Sequence, residues 1–159
     1  MIRMLLMNIL LTFIWVALTG QVIVINFIIG FVISFHMLWF IRDRNIRNDQ
    51  YFYKLPQLIV FILYFIKELV KANFEVAVMV VKPKFTFKPG IVAVPLSAKS
   101  DMEITLLANL ITLTPGTLSL DVSDDKKVLY VHAMNIDDKE EFKASIKDGF
   151  EKRIIKLFK

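Results

Sequence analysis

At 159 residues the chain has the length of one domain, yet 56% of it is hydrophobic and its mean hydropathy is +0.57, which is too apolar for an ordinary soluble globule and implies a bilayer around part of it. The net charge of +5 belongs to residues 1–85, with nine Lys/Arg against four Asp/Glu, whereas residues 86–159 hold eleven of each; that neutral half excludes the basic stripe expected of a nucleic-acid partner. Cysteine is absent, which excludes disulfides, thiolate zinc sites and cysteine nucleophiles.

Between Arg3 and Arg42 no Lys, Arg, Asp or Glu interrupts 38 consecutive residues. One helix of that length would run about 57 Å against a hydrocarbon core of roughly 30 Å. The stretch therefore predicts a transmembrane hairpin over residues 1–41, with helices at 4–18 and 22–41 and a tight turn at Thr19-Gly20-Gln21. A cleaved signal peptide is the alternative for the first segment, but Ala17-Leu18-Thr19 is not a small-x-small site and a second apolar run follows at once, so retention is expected. His36 is the one titratable group in these spans; without an acidic partner it reads as a packing residue rather than a proton relay. Residues 42–54 form a basic loop whose Arg42, Arg44, Arg47 and Lys54 set topology: the positive-inside rule places them, and Arg3 with them, in the cytoplasm.

Pro56 opens a helical run over 55–81 within a segment reaching to residue 85. Lys67, Glu68, Lys71 and Glu75 share a stripe with Tyr64 on an otherwise apolar helix. At about 2.5 to 3.5 kcal/mol per charge near the centre of a span, the stripe argues against an isolated crossing. Two readings survive: an amphipathic helix along the cytoplasmic interface, or a third membrane helix with its stripe against partner helices. Lys82, Lys84 and Lys88 favour the first. Glu68 with Lys71, or Lys71 with Glu75, reads as a plain ion pair before an ion pathway.

Residues 86–159 predict a small β-α-β-β-α domain of two layers on the cytoplasmic side. A strand at 90–96 ends near Pro95, which suits an edge. Ser100-Asp101-Met102-Glu103 is a capping box that opens a helix running to Leu113. Its apolar residues cover more than one face, so it is buried on several sides or docked on another subunit. Strands at 117–122 and 128–134 form a hairpin about Ser123-Asp124-Asp125-Lys126, with Leu118, Leu120 and Val122 expected on one side. A final helix over 137–159 places Phe142, Ile146, Phe150, Ile154 and Leu157 on one face.

No phosphate loop, metal-ligand cluster or catalytic triad is present, so neither an enzyme nor a cofactor site is expected. The run Asn109-Leu110-Ile111-Thr112-Leu113-Thr114-Pro115-Gly116-Thr117, then Asp121-Val122-Ser123 and Val131-His132-Ala133, resembles the E subunit of the Mrp (Mnh) type multisubunit sodium/proton antiporters. So do Lys71-Ala72-Asn73-Phe74-Glu75-Val76, the closing Lys82-Pro83 and the order of hairpin, amphipathic segment and α/β domain. The resemblance implies a small accessory and assembly subunit of a complex in the bacterial plasma membrane that exchanges sodium, or another monovalent cation, for protons. Its partners would be the other subunits and the lipid bilayer, and the ion path would lie mainly in larger subunits.

Within the motif, Pro115-Gly116 is expected to end the helix and turn the chain, with the hydroxyls of Thr112, Thr114 and Thr117 meeting the backbone groups freed there. Asn109 and these residues are also candidates for direct subunit contact. The competing reading is a free-standing membrane-tethered binding module; a third, a small autonomous carrier, would need Lys67, Glu68, Lys71 or Glu75 to line a path in an oligomer.

Overall fold

The computed structural model describes residues 2–41, 50–82 and 87–158. Arg42, Arg44, Arg47, Pro83 and Lys84 lie outside the described residues. Two compact units divide the chain between Gln57 and Leu58.

The first unit is a helical hairpin, α1 (Ile2–Thr19) and α2 (Val24–Ile41), with the opening turns of α3 (Gln50–Val81). α2 begins two residues beyond the expected start because Asn26 organises the turn. Its Nδ2 donates to the Gln21 carbonyl at 2.8 Å and to the Thr19 hydroxyl, and its Oδ1 accepts from Trp15 Nε1 at 2.9 Å. Gly20 takes the left-handed conformation (φ +65°) that reverses the chain. The seam between the helices is small and polar: Asn8, Thr12 and Val16 on one helix, Asn26, Gly30, Ser34 and Leu38 on the other. Gly30 permits the close approach, since a Cβ there would stand 2.8 Å from Trp15 Cδ1. The outward residues, among them Leu6, Leu10, Phe13 and Ile28, are apolar and exposed. A polar seam under an apolar exterior inverts the order of a water-soluble hairpin and is the packing that a lipid solvent selects.

α3 starts five residues before its expected start at residue 55, and Pro56 lies inside it instead of opening it. Tyr51 and Phe52, 2% and 6% exposed, form a cluster with Leu38, and the Tyr51 hydroxyl accepts from Asn8 Nδ2 at 2.6 Å. That packing secures the extra residues, and Pro56, the seventh residue of α3, forgoes one backbone bond within the helix.

The second unit holds a three-stranded antiparallel sheet in the order β1 (Gly90–Pro95), β3 (Val128–Ala133), β2 (Thr117–Val122), with α4 (Asp101–Leu113) between β1 and β2. β1 is an edge, as Pro95 requires. Val92, Val94, Leu129 and Val131 point into a core shared with Leu107, Ile111, Phe150, Ile154 and, from α3, Phe61. The expected alternation of β2 fails at one place. A bulge between Ser119 and Asp121 leaves Leu118 and Leu120 on the outer face, 44% and 47% exposed, and turns Val122 toward the core.

The capping box is present: Ser100 Oγ accepts from Glu103 N at 3.2 Å, and Glu103 Oε2 from Ser100 N at 3.1 Å. The last helical segment starts later than expected, with Asp138 as its cap, and runs as α5 (Lys139–Ile146), a π-helical turn (Lys147–Glu151) and α6 (Lys152–Phe158). Ile146, Phe150 and Ile154 recur every four residues, a spacing that drifts about 40° per step on an ordinary helix. The wider turn absorbs that drift, and all three stay buried.

Candidate functional site

The inner flank of α3, the turn after α4 and the π-helical turn enclose a groove of about 580 Å³ within the second unit. Glu68, Lys71 and Glu75 line it together with Tyr64, whereas Lys67 is exposed and lies off the groove. Lys71 Nζ and Glu75 Oε1 stand 3.7 Å apart, both more than half exposed, so the pair contributes at most about 1 kcal/mol and leaves its charges accessible.

Opposite lies the motif turn, with Thr114, Pro115, Gly116 and Thr117 on the groove wall. Thr114 Oγ1 donates to the Leu110 carbonyl at 2.9 Å, and Thr117 Oγ1 donates at 2.6 Å to the Ile111 carbonyl, which also accepts from Thr114 N at 3.1 Å, so both hydroxyls bond carbonyls of the last helical turn. Gly116 is left-handed (φ +88°), and its carbonyl accepts from Met134 N at 2.8 Å, which aligns β2 beside β3. Thr112 works on the other flank, accepting from Ser119 N at 3.2 Å. Asn109 is exposed on α4. The fold thus brings the charged stripe and the second half of the motif to one groove and leaves Lys67, Asn109 and Thr112 outside it. Lys54 is half-buried near the start of α3 and belongs to the first unit.

Sequence reasoning missed the third wall. Gly149 packs against Tyr64 so closely that a Cβ would stand 2.9 Å from the hydroxyl oxygen. Arg153 lies 3.7 Å over the Tyr64 ring and donates through Nη1 to the Asp148 and Gly149 carbonyls at 2.8 and 2.7 Å. A glycine amid the four-residue apolar spacing of the last helix was the available signal. Beside this wall Glu151, 2% exposed, accepts from the N–H groups of Ser97 and Ala98 and fastens the loop after β1. Among the described residues no three His, Cys, Asp or Glu side chains converge as a metal site. In the hairpin, His36 Nδ1 meets the Val32 carbonyl at 2.8 Å, a bond local to its own helix.

The same architecture recurs in membrane complexes. A chain of an archaeal membrane-bound sulfane sulfur reductase, a respiratory complex, is 29% identical with a TM-score of 0.58, over 98% of this chain and 99% of that one. A chain of the Mrp complex from Dietzia is 29% identical with a TM-score of 0.50, over 64% of this chain and 96% of its own. The class these features define is a subunit of a membrane-embedded assembly. The family model described as Na+/H+ ion antiporter subunit matches residues 8–157. Antiporter subunits E from Alkalihalophilus pseudofirmus and Bacillus subtilis are each 42% identical, the first over 97% of both chains and the second over 94% of both. The chain belongs to this family of Na+/H+ antiporter subunits.

Proposed function

We propose that this chain is an accessory and assembly subunit of a multisubunit sodium/proton antiporter in the bacterial plasma membrane, and that it does not form the main ion path. The observation that carries the reading is where its charges lie. Residues 4–41 contain no carboxylate and no Lys or Arg, and the hairpin seam is closed by neutral groups that bond one another. A cation or proton path at membrane depth needs ionisable or densely oxygenated ligands. The charges lie outside these residues, with Glu68, Lys71 and Glu75 gathered in the groove of the α/β unit.

In this reading α1 and α2 cross the bilayer. Each has 18 residues, a rise of about 27 Å, enough for a hydrocarbon core of roughly 30 Å with slight thinning. The basic residues Arg42, Arg44 and Arg47, with Lys54 near the start of α3, stay in the cytoplasm, and so does the domain that follows. α3 lies along the cytoplasmic interface. Ile59, Leu63, Val70 and Phe74 form its exposed apolar side, while Phe61, Tyr64 and Phe65 pack on the domain core. The apolar exteriors of the hairpin are the surfaces for neighbouring subunits, and Thr114–Thr117 with Glu68, Lys71 and Glu75 form a second, polar contact.

The test is transport. The purified chain in liposomes should move no protons in response to a sodium gradient, and deleting it from cells should lower both the amount of assembled complex and its antiport rate. Sodium-driven proton movement by the chain alone would refute the reading.

A further inference from the structure

α2 carries one titratable side chain, His36, and it faces outward from the hairpin. Phe35 meets its ring edge to face, with centroids 5.7 Å apart, and Nδ1 lies 2.8 Å from the Val32 carbonyl. A carbonyl oxygen only accepts, so Nδ1 holds a proton and the neutral ring presents Nε2 as a bare acceptor. Among the described residues Nε2 has no hydrogen-bond partner. Ile29, Val32, Ile33 and Phe40, at helical spacing around it, are apolar and exposed, and only the Trp39 indole, nearer the helix end, adds another polar atom. In the proposed crossing α2 runs toward the cytoplasm. Side chains on a helix lean toward its N-terminus, and the bond to Val32 draws the imidazole the same way, toward the bilayer centre and away from the cytoplasmic headgroups. His36 itself is five residues from Ile41, about 7.5 Å inside the end of the span. A polar atom left unpaired at that depth is costly, so something has to cover it.

We infer that the outward face of α2 around His36 docks a transmembrane helix of a partner subunit that presents an N–H or O–H donor to Nε2. This contact rests on the crossing of the bilayer by α2 and on the assembly role proposed above, and gives one of the hairpin's outer surfaces a position and a chemistry. Acyl chains offer no donor. A second copy meeting this one about His36 would set acceptor against acceptor, because the Nδ1 proton of each ring is already engaged by Val32. A different helix with a hydroxyl, amide or other donor at matching depth satisfies the nitrogen, while Ile29, Ile33 and Phe40 pack around the bond and keep it dry.

The tagged full chain is purified with its complex from native membranes, challenged with rising detergent, and the antiporter subunits retained per chain are quantified by mass spectrometry. His36→Leu should lower that ratio about threefold, the worth of an average hydrogen bond between membrane helices. Thermal melting of the isolated chain should not change, because His36 lies outside the hairpin seam. His36→Gln, whose side-chain oxygen still accepts, should restore most of the retention. A residue that acts by packing alone gives the reverse order, with leucine keeping the subunits and glutamine shedding them; that order, or equal retention by all three chains, would overturn the contact. A photo-crosslinking amino acid at Ile33, one turn away on the same face, should form an adduct with a hydrophobic antiporter subunit in cells. Adducts with lipid alone, or with a second copy of this chain, would overturn it as well. Wild-type retention that His36→Leu leaves unaltered removes the contact alone, whereas a wild type that retains no subunits removes the assembly role and the contact with it.

Discussion

Gly116 shows how one residue can decide a turn. Its φ of +88° is open to glycine and strained for any β-branched residue, whereas space is not limiting, since a Cβ there would stand 3.7 Å from Val76 Cγ2. Gly116→Val should therefore destabilise the α/β unit by about 1–3 kcal/mol through backbone strain. Thr114→Ala removes one bond at a half-exposed helix end and should cost about 1 kcal/mol. Thermal melts of the full chain in detergent compare the two, and equal losses would count against the turn reading.

Gly149 makes the opposite case, one of space. Gly149→Ala should lose about 1–3 kcal/mol against the Tyr64 hydroxyl. In a Tyr64→Phe background the same change should become neutral or stabilising, because alanine is the better helix former once the oxygen is gone. A double-mutant cycle reads the coupling.

Asp138 supplies a pH-dependent contribution. The N–H groups of Glu141 and Glu140 hold its carboxyl below the ordinary carboxylate value. A depressed folded value means that the stabilisation is complete above the unfolded value and is lost as pH falls through the folded one. The difference in melting temperature between wild type and Asp138→Ala should be constant near neutrality and shrink below about pH 4. A difference that persists in acid would show that the cap does not act through its charge.

Among the elements, the hairpin, the capping box and the helix-ending Pro115-Gly116 were legible because each depends on residues adjacent in sequence. A charge-free stretch longer than a bilayer has to fold back, and a Ser with Glu three residues later has only local partners to satisfy. What sequence did not reveal depends on contacts distant along the chain. The bulge that turns Val122 away from Leu118 and Leu120 follows from pairing with β3, while Pro56 stays within a helix because Tyr51 and Phe52 are anchored against α2 and Asn8. The groove was half legible. Its stripe and its motif were each visible, but their meeting, and the wall of Gly149 and Arg153, required the fold. For the hairpin itself, Gly30→Leu should separate the helices by driving a side chain into Trp15, and Asn26→Leu should loosen the turn by about 1 kcal/mol, the range for hydrogen bonds between membrane helices. Denaturation in mixed micelles followed by Trp fluorescence should show the larger loss for Gly30→Leu.

Over the molecule as a whole, the two units have different solvents. One exposes apolar side chains over a polar seam; the other has a conventional apolar core under a sheet whose second face carries exposed Ile91, Leu118, Leu120 and Tyr130. Neither exterior suits a chain that works by itself in water. With Asp125→Cys, on the β2–β3 turn, the thiol should be labelled only after a membrane-permeant reagent enters the cell, if the domain is cytoplasmic. Labelling by an impermeant reagent from outside would reverse the proposed topology.

These properties converge on a chain that works by joining others. Affinity purification of the tagged chain from native membranes in mild detergent, with co-purifying proteins quantified by mass spectrometry, puts that to the test. We expect several large hydrophobic antiporter subunits in fixed ratio, with the ratio lowered by Gly116→Val. Recovery of the chain alone, stable and monodisperse, would contradict the assembly role.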